Sequence, residues 1–393
     1  MEFDPYSHEY FNDPYPIYEY LRDEAPVYHN EKLGFYALSR FEDVLQASID
    51  YNTYSSARGI LIQDMDPDYL EAVPMMIMMD PPRQTRLRKL ISKAFTPRKV
   101  AAMEPDVRAL CVRILEPLVE RGSCDFVKEF AAVLPMEIIS TMLGVPEADR
   151  VQVRDWSDVS LTREPGNPEI PKDSMRAMGD MHAYFRELAA QRRKRPRDDM
   201  LSFLIQVEVP AEEGGTTKLT DREILGFASL VAGGGNETVT KLLGNALVLF
   251  HRNPGSRKRI AEDPRLIPGA VEEALRYWPP SQIQGRSLTR DVELHGRLMP
   301  CGSRVLLLTG AACRDGREYE NPGRFDIDRE IPIPLAFGHG AHKCLGAFLA
   351  RLEGRVAFEE LLERCPDFEV DEGNSERVHM TNVAGYASVP VTF

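Results

Sequence analysis

The sequence predicts a mainly α-helical fold with a small β part. Residues 220–252 form one long, largely apolar segment that begins at a capping box, Thr220 with Glu223, and stops at an Asn-Pro pair. The stretch 100–208 is also mainly helical in pattern, with breaks where proline and glycine cluster. Runs typical of strands are short and fall near the N-terminus, within 287–308 and at the C-terminus.

The composition is that of a globular protein that does not bind nucleic acid. The 393 residues carry a net charge of −13, and 43% are hydrophobic and 28% charged, which is ordinary for folded proteins. The acidic balance opposes general binding to nucleic acid. Six dispersed cysteines and an N-terminus without a signal pattern favour a reducing, cytoplasmic location. No run of about 18 apolar residues occurs, so we expect no membrane anchor.

The N-terminal part of the chain combines short helices and strands with a methionine-rich loop. Residues 15–23 and 41–48 have helical periodicity, and residues 27–29 and 34–38 are typical of short strands around a turn. Residues 55–79 are irregular and rich in methionine. Because methionine is flexible, this loop could pack on the core or shape itself around an apolar ligand.

Further helices are predicted on both sides of the long one. A helix that opens with Asp-Pro-Pro covers 80–95, since proline is tolerated in a first turn. Another covers 174–195 after a Pro- and Gly-containing break at 164–168, and its basic end is typical of a solvated helix terminus. A short helix covers 268–278 and ends at two prolines.

The C-terminal third alternates strands, loops and one helix. A hairpin is predicted at 292–298 around a His-Gly turn, followed by a strand at 303–308. A loop-rich stretch leads to a helix at 345–364. Residues 368–370 and 388–393 are predicted to pair as a terminal hairpin.

The centre of the long helix contains three consecutive glycines, Gly233, Gly234 and Gly235. Each costs about 1 kcal/mol relative to alanine in a helix interior, so we expect either close packing or a local opening there. Thr238 can bond back to a carbonyl one turn earlier and widen the opening. Glu237 and Thr238 together could then relay protons. The alternative is a glycine seam that only packs helices.

The loop 337–346 reads Phe-Gly-His-Gly-Ala-His-Lys-Cys-Leu-Gly. Cys344 precedes a helix, whose dipole favours the thiolate, and the glycines allow backbone N–H groups to approach the sulfur. Such a thiolate is a good ligand for haem iron. Two alternatives are a buried, unreactive thiol and a zinc site with His339 and His342, for which no second ligand pair lies nearby at a suitable spacing.

This loop resembles the haem-ligand signature of the cytochrome P-450 superfamily, Phe-Gly-x-Gly-x-His-x-Cys-x-Gly. All six fixed positions are present: Phe337, Gly338, Gly340, His342, Cys344 and Gly346. Other motifs of the family follow in the correct order over nearly the whole chain. The resemblance therefore implies the P-450 fold in a single domain, 1–393, of the soluble bacterial type.

The resemblance also implies contacts to the haem propionates. Arg88 matches the arginine of the family's Asp-Pro-Pro helix, and Arg286 and His342 match two further propionate ligands. Gln84 stands where the family commonly has histidine, so that contact becomes a neutral hydrogen bond at best.

Two other motifs are similar to those of the family. Residues 232–238 resemble its oxygen-activation motif, which ends in an acid–threonine pair. Glu273 and Arg276 match its Glu-x-x-Arg, and Arg329 matches a third member of that buried network. Taken alone, a Glu–Arg pair three residues apart could equally lie on a helix surface.

The function implied by the resemblance is haem-thiolate monooxygenation. One oxygen atom of O2 would enter an apolar small molecule, with haem b (iron protoporphyrin IX) as cofactor and Glu237 and Thr238 as catalytic residues. The expected cofactor contacts are Cys344, which would bind the metal, with Arg88, Arg286, His342, Phe337, Gly338 and Gly234. The expected pocket residues are Leu230, Gly233, Gln282, Ile283, Val383 and Ala384.

Electrons would come from a ferredoxin or flavodoxin with an NAD(P)H-dependent reductase. Lys343 and the basic helix 86–93 are a candidate docking patch for such an acidic partner. Three alternatives remain at this point: a peroxide-driven relative, which typically lacks the acid–threonine pair, an isomerase or dehydratase on the same fold, and a non-catalytic haem sensor. The guest could be a terpenoid, steroid, fatty acid or polyketide.

Overall fold

The predicted helices form, with most ends shifted by one to four residues. The computed structural model describes residues 1–210, 216–380 and 382–393. Its α-helices are α1 (His8–Asn12), α2 (Tyr15–Glu24), α3 (Phe41–Ile49), α4 (Pro67–Ala72), α5 (Arg83–Ile91), α6 (Pro97–Ala102), α7 (Glu104–Arg121), α8 (Val133–Leu143), α9 (Arg150–Leu161), α10 (Lys172–Lys194), α11 (Met200–Gln206), α12 (Asp221–Arg252), α13 (Pro254–Glu262), α14 (Ile267–Tyr277), α15 (Thr309–Ala312) and α16 (Ala347–Arg364).

The strands are short and are gathered into small sheets. They are β1 (Val27–Asn30), β2 (Phe35–Leu38), β3 (Tyr54–Ser55), β4 (Ser123–Asp125), β5 (Glu208–Pro210), β6 (Thr216–Lys218), β7 (Ile283–Leu288), β8 (Val292–Leu294), β9 (Arg297–Met299), β10 (Arg304–Leu308), β11 (Glu369–Val370), β12 (Glu376–Arg377), β13 (Tyr386–Ser388) and β14 (Pro390–Thr392). The largest described sheet has the order β1-β2-β10-β7-β3. In it β10 runs parallel to β2 and antiparallel to β7.

Helix α12 forms the centre of the molecule. Its N-terminus is closed by the predicted capping box, in which Thr220 and Glu223 each bond to the other's backbone N–H. Apolar residues surround most of its circumference, so it can be stable only when it is buried. Helices α8, α9, α10, α14 and α16 pack around it. None of the helices in the described residues combines the length and apolar character that a membrane crossing requires.

The sheet and the N-terminal aromatic residues form a second packing region beside the helices. Phe3, Tyr18 and Phe35 are buried together, with Ile283 and Leu308 from the sheet. Pairs such as Phe3 and Phe35 meet edge to face, with ring centroids 5.9 Å apart. This region holds β7 and β10 rigidly beside the helical core.

Three sequence predictions are refined by the structure. The predicted pairing of 368–370 with 388–393 forms as β11 with β14, but β4 also pairs with β14, and the β12–β13 pair lies between β11 and β14 in the chain. Strands of two or three residues are too short for alternation to locate them. Helix α5 ends at Ile91, and tight turns at Ala94 and Phe95 replace its expected last turn. The methionine-rich loop contains helix α4 and a 3-10 turn at Met76–Met78.

The glycine triplet predicts opposite effects for two neighbouring substitutions. A Cβ at Gly235 would lie 2.7 Å from Ile139 Cδ1, whereas a Cβ at Gly234 would have no atom within 4 Å. We expect Gly234→Ala to raise the free energy of unfolding by about 1 kcal/mol, the helix-propensity difference. Gly235→Ala should lower it, because overpacking costs about 1–3 kcal/mol. Urea unfolding of both variants measures the difference, and equal effects would contradict this packing.

Candidate functional site

The cysteine loop is held by backbone bonds and by two glycines in the left-handed region. The N–H of Cys344 donates to the carbonyl of Phe337 at 2.7 Å. Gly338 and Gly340 have φ of +66° and +68°, where side chains are strained. A Cβ at Gly340 would also lie 2.5 Å from the carbonyl oxygen of Ser48. The loop therefore needs glycine at 340 to reach helix α3.

The thiol of Cys344 is solvent-accessible, yet protein surrounds it closely enough to change its ionisation. Burial raises its pKa, and the Gly346 N–H and the guanidinium groups of Arg88 and Arg351 only partly oppose this effect. The expectation that the helix dipole alone favours the thiolate is therefore wrong for the isolated side chain. A bound metal ion would reverse this, because a coordinating thiol is deprotonated.

Helix α5 attaches to the loop through two side chains one turn apart. Gln84 donates from Nε2 to the carbonyl of Ala341 at 2.7 Å, and Arg88 donates to the carbonyl of Lys343. Gln84 is almost fully buried. Its role is thus to hold the loop backbone, which the sequence did not indicate. Since positions i and i+4 share a helix face, this pair could have been recognised only if the partner loop were known.

A cluster of basic side chains lies beside the loop. Burial lowers the pKa of Arg286 to about 10, and Asp80 offsets this only in part. Burial, together with Arg286 and Arg88, lowers the pKa of His342 to about 3. The Nε2 atom of His342 is buried without a hydrogen-bond partner. In the described residues, neither Arg88 nor Arg286 forms an ion pair with a carboxylate. Such a cluster is suited to binding an anionic group.

The centre of α12 opens at Gly234. The hydroxyl of Thr238 donates to the carbonyl of Gly234 at 2.9 Å, and the Gly234 position itself is exposed. Gly235 packs on Ile139, and Gly233 lies near Ser157. Both sequence interpretations therefore apply, because one glycine packs a helix while its neighbour faces open space.

Glu237 is buried, and its carboxyl group interacts with other side chains instead of solvent. Its Oε2 lies 3.0 Å from Nζ of Lys241, and its carboxyl group is hydrogen-bonded to Asp158 of α9. Neither partner was predicted from the sequence. The i,i+4 spacing of Glu237 and Lys241 could have indicated the first, whereas Asp158 is distant in sequence.

The structure brings Glu273, Arg276 and Arg329 together. Arg276 donates from Nε and Nη2 to the two carboxylate oxygens of Glu273 at 2.6 and 2.7 Å. Arg329 Nε lies 3.3 Å from Glu273 Oε2. Arg276 also donates to the carbonyls of Cys313 and Pro322. Glu273 is 0% exposed, so this is a core ion pair and not a surface one.

Three of the expected pocket residues, Leu230, Val383 and Ala384, come from two different parts of the chain. Leu230 is half-buried on α12. Val383 forms an isolated bridge with Ser281, and the N–H of Ala384 donates to the carbonyl of Pro280. These contacts bring residues 382–386 against the segment before β7.

Gln282 and Ile283, two further expected pocket residues, are both buried. Gln282 is buried, and its Nε2 donates to the carbonyl of Pro279 at 2.6 Å. Ile283 is fully buried in the N-terminal aromatic region. Because side chains alternate along a strand, β7 presents Gln284 on the same face as Arg286. Gln284 is half-buried, and its Nε2 donates to Oγ of Ser281 at 3.0 Å.

Residues 36–390 match the family model described as Cytochrome P450. The chain belongs to the cytochrome P450 family. Membership implies a haem cofactor and oxidoreductase chemistry on the P450 fold.

Individual P450 relatives match over almost their full length. Cytochrome P450 130 of Mycobacterium tuberculosis is 41% identical over 379 residues, which is 94% of this chain and 93% of the relative. Vitamin D(3) 25-hydroxylase of Pseudonocardia autotrophica is 37% identical over 398 residues, covering 99% and 96%. The crystal structure of CYP109E1 from Bacillus megaterium in complex with testosterone has a TM-score of 0.88 at 32% identity, covering 97% and 98%.

The residues of this P450 fit the haem that its family implies. Cys344 offers an accessible sulfur, and Gly234 leaves open space on one face of α12, where an added Cβ would meet no atom within 4 Å. Arg286 is a buried cation without an ion-pair partner among the described residues, and His342 has a buried nitrogen without a hydrogen bond. Carboxylate groups of a ligand would satisfy both.

The buried ion pair of this P450 predicts that alanine substitutions at two adjacent glutamates differ greatly in their effect on the free energy of unfolding. Glu273→Ala leaves Arg276 buried and uncompensated, which should lower the free energy of unfolding by about 3–5 kcal/mol. Glu272→Ala removes a partly exposed partner of Arg351 and should cost about 1 kcal/mol or less. Chemical unfolding monitored by circular dichroism compares the two, and equal losses would contradict the assignment.

Proposed function

We propose that this P450 is a haem-thiolate monooxygenase that inserts one oxygen atom of O2 into an apolar small molecule. The observation that carries the proposal is the accessible Cys344 thiol in a rigid loop, combined with the opening of α12 at Gly234. Family membership and relatives named as hydroxylases support the same reaction class. We further propose that residues 1–393 act as one domain, which the family match over 36–390 supports.

In this proposal the chain's own residues bind and orient the cofactor. The sulfur of Cys344 would ligate the iron of haem b, and Arg88, Arg286 and His342 would bind its propionates by charge-assisted hydrogen bonds. Phe337 and Gly338 would lie against the ring, with Arg351 stacked on Phe337 at 4.5 Å from its centroid. When bound, a haem-thiolate supplies the redox chemistry that activates O2.

Thr238 and Glu237 would handle protons next to the opening of α12. The Thr238 hydroxyl is half-buried and its hydrogen is directed to the Gly234 carbonyl, so its oxygen lone pairs remain able to accept a hydrogen bond. Glu237 precedes it directly in the chain and can pass protons through its carboxyl group. A peroxide-driven reaction would not need this pair.

Electrons are proposed to come from a ferredoxin or flavodoxin with an NAD(P)H-dependent reductase. Lys89, Lys93 and Lys343 are exposed and form no ion pair among the described residues. Arg86 is less suitable than the sequence indicated, because it pairs with Glu223 at 3.0 Å. An acidic partner would be steered to the lysines.

The cytoplasmic location stays a prediction from the sequence.

The proposed guest is an apolar molecule, and a steroid-like skeleton is the class to test first. One relative is named for hydroxylation of vitamin D(3), and a neighbouring structure contains testosterone. The methionine-rich segment supports an adaptable apolar wall, since Met75 and Met78 are only half-buried. Testosterone and vitamin D(3) are therefore suitable probes for binding.

Replacing the proposed iron ligand gives the primary test. In the ferrous protein under carbon monoxide, the wild type should show the long-wavelength absorbance of a sulfur-bound haem, and Cys344→Ser should lose it. Cys301→Ser, which changes another exposed cysteine, should keep it. A Cys344→Ser spectrum identical to that of the wild type would overturn the proposal.

Removal of the Thr238 hydroxyl should uncouple NADPH consumption from product formation. With a ferredoxin, its reductase and testosterone, we expect Thr238→Ala to consume NADPH while product per NADPH falls about tenfold or more, within the usual range for proton-transfer groups. Thr238→Ser retains the hydroxyl and should recover most of the yield. Incorporation of label from 18O2 measures the product, and undiminished coupling in Thr238→Ala would contradict the role.

A further inference from the structure

Helices α9 and α12 enclose a second carboxyl group next to Glu237. Asp158 on α9 is hydrogen-bonded to Glu237 on α12. Asn236 Nδ2 lies 3.5 Å from Asp158 Oδ1, and Lys241 Nζ lies 3.0 Å from Glu237 Oε2. Glu237 and Lys241 are 2% and 4% exposed. Asn236, Glu237 and Lys241 are therefore almost entirely removed from water, whereas Asp158 is half-buried.

Two carboxyl groups in a hydrogen bond must share a proton, because two carboxylates offer only acceptors. Burial first, and then the charge of Glu237, raises the pKa of Asp158 to about 9, although Lys241 and Arg154 oppose the rise. For Glu237 burial alone would raise the pKa, but Lys241, the Asp158 hydrogen bond and Arg154 together lower it. At neutral pH Asp158 is thus the protonated donor and Glu237 the anionic acceptor.

A small cavity lies next to Asn236, which contacts Asp158. Its volume is about 10 Å³; apolar side chains form much of its wall, and Arg154, Ser157 and Asn236 are among its polar lining residues. Ser157 Oγ and Asn236 Oδ1 are buried without hydrogen-bond partners. That space is about the size needed for one water molecule. The side chain of Arg154 is 22% exposed, so the cavity lies one residue from the surface.

We propose that Asp158 is a positioning residue that holds a reserve proton for Glu237, and that it is reloaded through the cavity lined by Ser157 and Asn236. The inference rests on the monooxygenase reaction proposed above. In each delivery the O–H bond of Asp158 breaks and an O–H bond forms on Glu237, which then passes this proton toward Thr238 and is again a carboxylate. The Asp158 carboxylate then takes a proton supplied by the solvent through the cavity, so both groups return to their initial charge.

The two acids belong to different helices, which has a direct consequence. Asp158 moves with α9, whereas Glu237 is fixed in α12. The relay is complete only while α9 is packed against α12 as in this structure. Proton supply is therefore tied to the position of α9.

The first test measures the proton itself and does not depend on turnover. Infrared spectra of the haem-loaded wild type at pH 7 should contain a deuterium-sensitive C=O band of a protonated carboxyl, which disappears as the pH rises through about 9. Asp158→Asn should lose this band. Glu353 is a second buried acid with a strongly raised pKa, so Glu353→Gln serves to assign its separate contribution.

The matched control is Asp155→Asn, on the same helix but with a side chain that is 52% exposed. It should leave the band, the carbon monoxide spectrum and the rate unchanged. If Asp158→Asn keeps the full pH-sensitive band, or if the wild type lacks it, Asp158 does not hold the proton and the proposal is overturned.

The second test measures proton delivery with testosterone and a ferredoxin system. We expect Asp158→Asn to lower product per NADPH about tenfold and to raise the solvent deuterium isotope effect, as for loss of a proton-transfer group. Asp158→Glu should restore both. A merely structural role would lower stability without changing the isotope effect, and that result would overturn the proposal.

The two proposals fail in different ways. A wild type that forms no product from any probe refutes the monooxygenase assignment while the infrared band can still be present. A productive wild type with an unaffected Asp158→Asn variant refutes only the role of Asp158.

Discussion

The ion pair between Glu273 and Arg276 is the interaction on which the cysteine side of the molecule depends. Both groups lie in the core, and the guanidinium is satisfied by the carboxylate together with the carbonyls of Cys313, Pro322 and Arg324. A buried charge is tolerated only with such complete pairing. Helix α14 is thereby joined to the irregular chain that leads into the cysteine loop. The loop can then be long and free of regular structure without losing its position.

The glycines at the centre of α12 lower its local stability and leave open space beside Gly234. Three glycines reduce its intrinsic helix propensity, yet burial of nearly every other face keeps the helix in place. Gly234 and Thr238 remain open or half-open, while Glu237 is turned into a packed junction. Open space and close packing are thus divided between adjacent residues of a single turn.

The sequence was sufficient where the signal was local. The capping box and apolar length predicted α12, and the spacing around Cys344 predicted the loop and its family. It was insufficient where tertiary contacts decide. Burial raises the pKa of Cys344 against the expected dipole effect, and Asp158 meets Glu237 from a position 79 residues earlier in the chain.

The attachment of α5 to the cysteine loop has a consequence for how this protein can diversify. Gln84 and Arg88 both donate to backbone carbonyls, those of Ala341 and Lys343, and not to side chains. A carbonyl is present whatever residue occupies the position, so the side chains at 341 and 343 are not constrained by the anchor. The side chains at 341 and 343 can therefore be substituted, and the charge there changed, while the two bonds that position the loop are kept.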